Sequence, residues 1–237
     1  MKELFIAELM GTFFLILLGN GVVSNVVLKG TKGHGAGYFA ITAAWCFAVF
    51  VGCNVAIGLG SNGELNPATV VAGMVNGTYS GMEALVYIAG EFSGAMLGAL
   101  VVYIFYKNHF DLSSDAPSDQ IACFCNSPAI KNTPINLFGE VVATFVLMYV
   151  AMSFTIPNTA GSFAIIPVAT LVWAIGLSLG GTTGYAINPA RDLGPRIVHA
   201  LIPIKGKGNS NWSYAWIPVV GPIAGAVSAA LLFNLLH

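Results

Sequence analysis

The tripeptide Asn-Pro-Ala occurs twice in this chain of 237 residues, at Asn66-Pro67-Ala68 and Asn188-Pro189-Ala190, each time between apolar stretches long enough to cross a bilayer. Asparagine is favoured just before a helix and proline as its first residue, so each tripeptide can begin a short helix whose free backbone N–H groups point outward from its start. Two such starts facing each other inside a membrane make a polar, electropositive spot, which is what the centre of a pore needs.

The stretches around them restrict the fold to a helical membrane protein. About 20 apolar residues span the hydrocarbon core as a helix, and six stretches qualify: 4 to 28, 38 to 60, 82 to 106, 137 to 156, 163 to 183 and 213 to 236. Hydrophobic residues make up 56% of the chain and charged residues 8%, too few charges to solvate the outside of a soluble domain. None shows the short alternation of an outer-membrane barrel, and helices satisfy their own backbone groups in lipid. The expectation is an all-α membrane protein with six transmembrane helices. The first stretch follows Met1-Lys2 and is longer than the apolar core of a secretion signal, so it reads as a retained span.

An internal duplication organises these spans. Ala7-Glu8-Leu9-Met10-Gly11-Thr12-Phe13 recurs loosely as Gly139-Glu140-Val141-Val142-Ala143-Thr144-Phe145, each followed downstream by Asn-Pro-Ala. Glu8 precedes Glu140 by 132 positions and Asn66 precedes Asn188 by 122, so the halves are of similar length. Repeat one covers about 1–106, a connecting segment about 107–136, and repeat two about 137–237, together one channel domain. Three spans per repeat make the second half enter from the opposite side, an inverted pair. The segments after the tripeptides, about 67 to 76 and 189 to 201, are too short to span and read as re-entrant half-helices. The connecting segment contains Asp111, Asp115, Asp119, Pro117 and Pro128 and reads as a surface loop.

Several functions are disfavoured by what is missing. Cys46, Cys53, Cys123 and Cys125 have no zinc-site spacing, and Cys123 and Cys125 are too close for an undistorted bridge, so neither a metal nor a cofactor is expected. The net charge of −1 suggests no nucleic-acid partner. There is no phosphate-binding glycine loop and no membrane carboxylate relay. His34, His109, His199 and His237 lie near loops or ends without an evident Ser or Cys nucleophile, so no enzyme is expected.

The paired tripeptides, the duplicated glutamate-containing helix and the run Asn188-Pro189-Ala190-Arg191-Asp192-Leu193-Gly194-Pro195 resemble the major intrinsic protein family, the aquaporins and glycerol facilitators, over nearly the whole chain. Asp192 after Arg191 resembles the glycerol-conducting, aquaglyceroporin branch. The resemblance implies a passive channel for glycerol and other small uncharged solutes, with water. The alternatives are a channel mainly for water or undissociated acids such as lactic acid, and, from another class, a proton-coupled transporter. It also implies a homotetramer in the cell membrane with both termini cytoplasmic. Lys29, Lys32, Lys107, Lys131, Lys205 and Lys207 would then lie outside, against the positive-inside tendency.

Residue by residue, the resemblance places Asn66, Pro67, Ala68, Asn188, Pro189 and Ala190 at the pore centre, where the asparagines cap the half-helices and offer N–H groups to a passing hydroxyl. Trp45, Gly176, Tyr185 and Arg191 form the selectivity filter. Trp45 stands 21 positions before Asn66, one more than the family spacing, which leaves Cys46 as the alternative. Gly176 leaves width for carbon where water-selective relatives have His, while Tyr185 replaces the usual Phe and either narrows the filter or adds a hydrogen-bonding group. Arg191 presents fixed donors suited to two adjacent hydroxyls. Glu64 takes the place of a pore-lining His. It either borders the vestibule as a protonation-sensitive modulator or turns away to bond loop backbone. Glu8 and Glu140 are structural buried acids that brace the re-entrant loops by accepting backbone N–H groups. Glu91 stands where relatives often carry Gln and has no assigned role. Met10, Met148, Phe13 and Phe145 are expected between helices, and Gly90, Gly94 and Gly98 allow close helix approach.

Overall fold

The computed structural model describes residues 1–155 and 158–237, with no strand among them. Six helices are long and apolar enough to cross a membrane: α1 (Lys2–Val27), α2 (Gly37–Gly58), α4 (Gly81–Phe105), α7 (Thr133–Ser153), α8 (Ile166–Leu179, extended at its start by a 3₁₀ segment) and α10 (Ile217–Leu236). The chain is a multi-pass membrane protein. Two half-helices, α3 (Pro67–Val75) and α9 (Pro189–Leu201), start where the tripeptides require, and short helices α5 (Lys107–Leu112) and α6 (Pro117–Ala122) lie between the repeats. The spans run within a few residues of expectation. The predicted end of the fourth, at residue 156, lies outside the described residues.

Local chemistry sets the starts. Asn66 and Asn188 hold extended backbone, and the Oδ1 of each accepts from the N–H two residues on, Ala68 and Ala190, at 3.0 Å. Pro67 and Pro189 lack the N–H that a first helical residue would leave unbonded. Ser80 and Glu83 cap α4 reciprocally, and Asn132 caps α7.

Packing follows the repeat. Helix α1 lies tightly on α4 and α7 on α10, and each half-helix packs against the last span of the other repeat, α3 on α10 and α9 on α4. Glycine allows the close pairs: a methyl group at Gly90 would lie 2.7 Å from Phe5 O, and one at Gly98 2.8 Å from Phe13 O. In the second repeat a methyl at Gly221 would lie 2.7 Å from Glu140 Cβ. Large apolar side chains such as Phe47, Phe105 and Phe138 stay exposed on the outside, where lipid is the solvent.

The connecting segment is not the surface loop that its composition suggests. It combines exposed residues, Ile130 among them, with a buried core. Phe110, Cys123 and Phe124 are wholly buried, Cys125 and Asn126 nearly so, and Asn20 Nδ2 on α1 donates to Phe124 O at 3.2 Å. The apolar run from Ile121 to Cys125 turns inward while Asp115 stays outside and pairs with Lys29 at 2.6 Å. Gln120 Nε2 donates to Lys205 O at 2.8 Å, so the lysine-bearing loops gather on one face of the molecule.

Candidate functional site

The two half-helices meet at their N-terminal ends. Asn66 Nδ2 donates to Ile187 O at 2.8 Å, and Asn188 Nδ2 donates to Leu65 O at 2.6 Å, so each asparagine caps its own helix and bonds the loop before the other. An amide nitrogen carries two hydrogens, which leaves each asparagine one further donor. Leu65 and Ile187 have φ of 51° and 44°, a left-handed backbone that side chains rarely adopt.

Two buried carboxylates hold that strained backbone. Glu8 accepts from Leu65 N at 2.9 Å, from Glu64 N at 3.3 Å and from the Ser61 hydroxyl. Glu140 accepts from Ala186 N at 3.0 Å and Ile187 N at 2.9 Å. The clamped N–H groups include those of the two positive-φ residues, so the acids supply the surroundings that such strain needs in order to persist. Glu91, wholly buried on α4, accepts from Asn66 N at 2.8 Å through one oxygen, and its other oxygen has no partner among the described residues. The second repeat has no counterpart to this third acid.

A cavity of about 330 Å³ passes this meeting point. Asn62, Gly63 and Glu64 line one end, Asn66 and Asn188 the middle, and Trp45, Tyr185 and Arg191 the other end. Val49, Leu147, Val168 and Val172 form an apolar wall, and Met148, expected between helices, also reaches the cavity. Polar and hydrocarbon side chains thus share the lining of one cavity.

At the far end the Arg191 guanidinium lies over the Trp45 ring, 4.4 Å from its centroid. Arg191 is 8% exposed, and its NH1 has no hydrogen-bond partner among the described residues. Trp45, not Cys46, lines the cavity. Gly176 does not. It sits behind Tyr185, where a methyl group would lie 2.8 Å from Tyr185 Cζ and 3.1 Å from Thr42 Cγ2, so the space it leaves is filled by the tyrosine ring and not by a passing solute. The Tyr185 hydroxyl is buried against the same glycine and has no partner among the described residues.

Glu64 does not turn away to bond loop backbone. Its carboxylate accepts from the Tyr79 hydroxyl at 2.5 Å, and Asn62 Nδ2 donates to that same hydroxyl oxygen at 3.0 Å. Tyr79 is seated over Gly73, where a methyl group would meet its ring at 2.6 Å, and packs on Tyr87 with ring centroids 4.8 Å apart. Burial first, and then the Glu64 charge, push the Tyr79 phenol above its usual range, so it remains a donor. Nothing in the spacing of Asn62, Glu64 and Tyr79 marks this group, because a half-helix and a turn separate them.

Asp192 lies outside the cavity. It accepts from Asn126 N at 2.7 Å and forms a wholly buried pair with Arg196, Nε at 2.9 Å and NH2 at 2.7 Å. One histidine has a loop serine beside it: His199 Nδ1 lies 2.8 Å from Ser210 Oγ, brought back by the loop after α9. Burial first, then Lys207 and Arg196, push the His199 imidazole down to about 4. Neither residue lines the cavity.

Among family descriptions, "Major intrinsic protein" matches residues 1–233. The chain is 47% identical over 235 residues, 99% of each chain, to the glycerol uptake facilitator protein of Streptococcus pneumoniae. It is 40% identical over 230 residues, 95% of this chain and 94% of the other, to the D/L-lactic acid transporter of Lactiplantibacillus plantarum. The X-ray structure of the aquaglyceroporin from Plasmodium falciparum matches with a TM-score of 0.85 at 27% identity, covering 98% of this chain and 95% of that one. With six spans, two opposed half-helices and matches along nearly its whole length, the chain belongs to the major intrinsic protein family.

Proposed function

We propose that the protein is a passive channel for glycerol and similar small uncharged solutes, with water, and has no catalytic step. The observation that carries this reading is the mixed lining of the cavity. Asn66, Asn188 and Arg191 bring donors to it, and Val49, Leu147, Val168 and Val172 bring hydrocarbon. A polyol has the same division, hydroxyls on one edge and C–H on the other, and hydrogen bonds lost to water are replaced only on its polar edge. The names of the S. pneumoniae relative and of the P. falciparum structure support the same solute class.

In this reading Asn66-Pro67-Ala68 and Asn188-Pro189-Ala190 form the centre, where opposed helix starts disfavour cations and protons. Trp45, Tyr185 and Arg191 form the filter, Gly176 supports Tyr185 from behind, and Asp192 holds the loop beyond Arg191. Glu64 modulates entry at the opposite mouth. The chain divides at about residues 106 and 137, assembles as a homotetramer with one pore per subunit, and lies in the cell membrane with both termini cytoplasmic. Protease access to the 107–136 segment in intact cells tests that orientation, and native mass measurement tests the assembly.

A second reading, undissociated lactic acid as the main solute, is supported by the L. plantarum relative's name. Swelling of proteoliposomes in glycerol, in lactic acid at low pH and under plain osmotic shock ranks the solutes. Accumulation above equilibrium that an uncoupler abolishes would establish a proton-coupled transporter and remove the channel reading.

A further inference from the structure

Asn126, in the connecting segment, is not among the residues lining the cavity, yet it is bonded to the second re-entrant loop on both sides of Tyr185 and Arg191. Its Nδ2 donates to Gly184 O at 2.6 Å and Thr183 O at 3.2 Å, immediately before Tyr185. Its backbone N donates to Asp192 at 2.7 Å, immediately after Arg191, and its backbone O accepts from Arg196 NH2 at 2.9 Å. Gly184 has φ of 81°, and a methyl group there would lie 2.8 Å from Asn126 Nδ2, so the loop is shaped to receive this amide. The strap carrying Asn126 is itself anchored, since Phe124 is wholly buried and its carbonyl accepts from Asn20 on α1.

What Asn126 holds has few hydrogen bonds of its own at the side-chain level, although Trp45 faces Arg191 and Gly176 backs Tyr185. Tyr185 has a strained φ of 40° and a hydroxyl without a partner, and the Arg191 guanidinium makes no hydrogen bond to the described residues. Both side chains follow the backbone beside them, which Asn126 reaches directly at the Thr183 and Gly184 carbonyls and indirectly through the Asp192 carboxylate.

We propose that Asn126 is a positioning residue for solute discrimination: through four hydrogen bonds it sets the separation of Tyr185 and Arg191, and so the size of polyol that passes, without touching the solute. This rests on the reading of Trp45, Tyr185 and Arg191 as the filter. Sites of this kind need side chains held to within about 0.5 Å, which a buried strap achieves better than a free loop. Removing the Asn126 side chain deletes two of the four bonds and leaves the backbone attached to Asp192 and Arg196.

The test compares wild type, Asn126→Ala and Asn126→Ser in proteoliposomes, with swelling rates for water, glycerol and a five-carbon polyol normalised to folded protein. In Asn126→Ala the polyol-to-water permeability ratio is expected to change by about fivefold, the rate equivalent of one hydrogen bond. Asn126→Ser, whose hydroxyl can serve one carbonyl, is expected between the two. An unchanged ratio in folded Asn126→Ala overturns the proposal, and so does recovery of both variants only as misfolded protein, because the clamp then serves stability alone. Wild-type vesicles that swell in glycerol no faster than protein-free ones would instead remove the channel reading, so the two failures are separate.

Discussion

The Arg191 guanidinium stands 4.4 Å from the centroid of the Trp45 ring, with NH1 buried and unpaired. An aromatic face thus holds the cation in place while its donors stay available, an arrangement worth about 2 kcal/mol once water is excluded. Arg191→Ala is expected to lower the glycerol-to-water permeability ratio about tenfold, since hydrogen bonds to a charged donor contribute about 1.5–3 kcal/mol. Stopped-flow swelling checks it. Equal losses for glycerol and water would show that Arg191 does not discriminate.

Gly176 and Tyr185 are expected to behave as a pair. Gly176→Ala places a methyl group 2.8 Å from Tyr185 Cζ and drives the ring toward the lumen, so glycerol flux should fall more than water flux. A second substitution, Tyr185→Leu, should restore part of the flux. Tyr185→Phe alone removes an orphan hydroxyl and should leave solute preference unchanged while stabilising the fold by about 1 kcal/mol or less. A shifted preference in that variant would place the hydroxyl in the lumen after all.

Glu140→Ala leaves the N–H groups of Ala186 and Ile187 buried without an acceptor, at a cost on the order of 3 kcal/mol. Folded yield and thermal midpoint in detergent should both drop. Glu140→Gln, which keeps one acceptor oxygen, should lose less. If the two variants were equally stable, the brace would have to act through packing and not through its carbonyl-like oxygens.

Glu64→Gln and Tyr79→Phe address the modulator. The Glu64 carboxylate lines the mouth, with Tyr79 as donor and the buried acids Glu8 and Glu91 nearby on α1 and α4. Glycerol flux measured against concentration should differ between the wild type and Glu64→Gln, with Tyr79→Phe in between. Identical profiles for wild type and Glu64→Gln would falsify the modulating role.

His199 makes a separate prediction about stability and acid. Its folded pKa is depressed from 6.5 to about 4, so the neutral ring is the native form. Stability is then fully present above pH 6.5 or so and is lost as pH falls through about 4. Thermal midpoints across that window should decline in the wild type and decline less in His199→Gln. Parallel curves would assign the acid sensitivity to other groups.

How much of this could be read from the residues alone follows the range of each interaction. The half-helix starts were legible because capping is local: Asn66 bonds an N–H two residues away. The match between Glu8 and Glu140 was legible because duplication repeats it. The inward course of Ile121 to Cys125 was not, since five residues carry no helical period and the aspartates before them suggest a solvated loop. Nor was the true neighbour of Gly176, because a glycine states that space is needed and not which side chain fills it. Tyr79 and Asn126 were missed for a common reason: their partners are 15 to 70 residues away, with no spacing rule connecting them.

The crossed packing of the half-helices carries a consequence for how the molecule is made. Helix α3 is synthesised early, but it rests on α10, which emerges a whole repeat later. Until then its re-entrant backbone has no finished bed, and the polar groups of residues 61–66 are held from within repeat one alone, by Glu8, Glu91 and Tyr79 among others. The bed of the first half-helix is therefore completed only when α10 folds against it, a whole repeat after the first wall of the lumen was laid down.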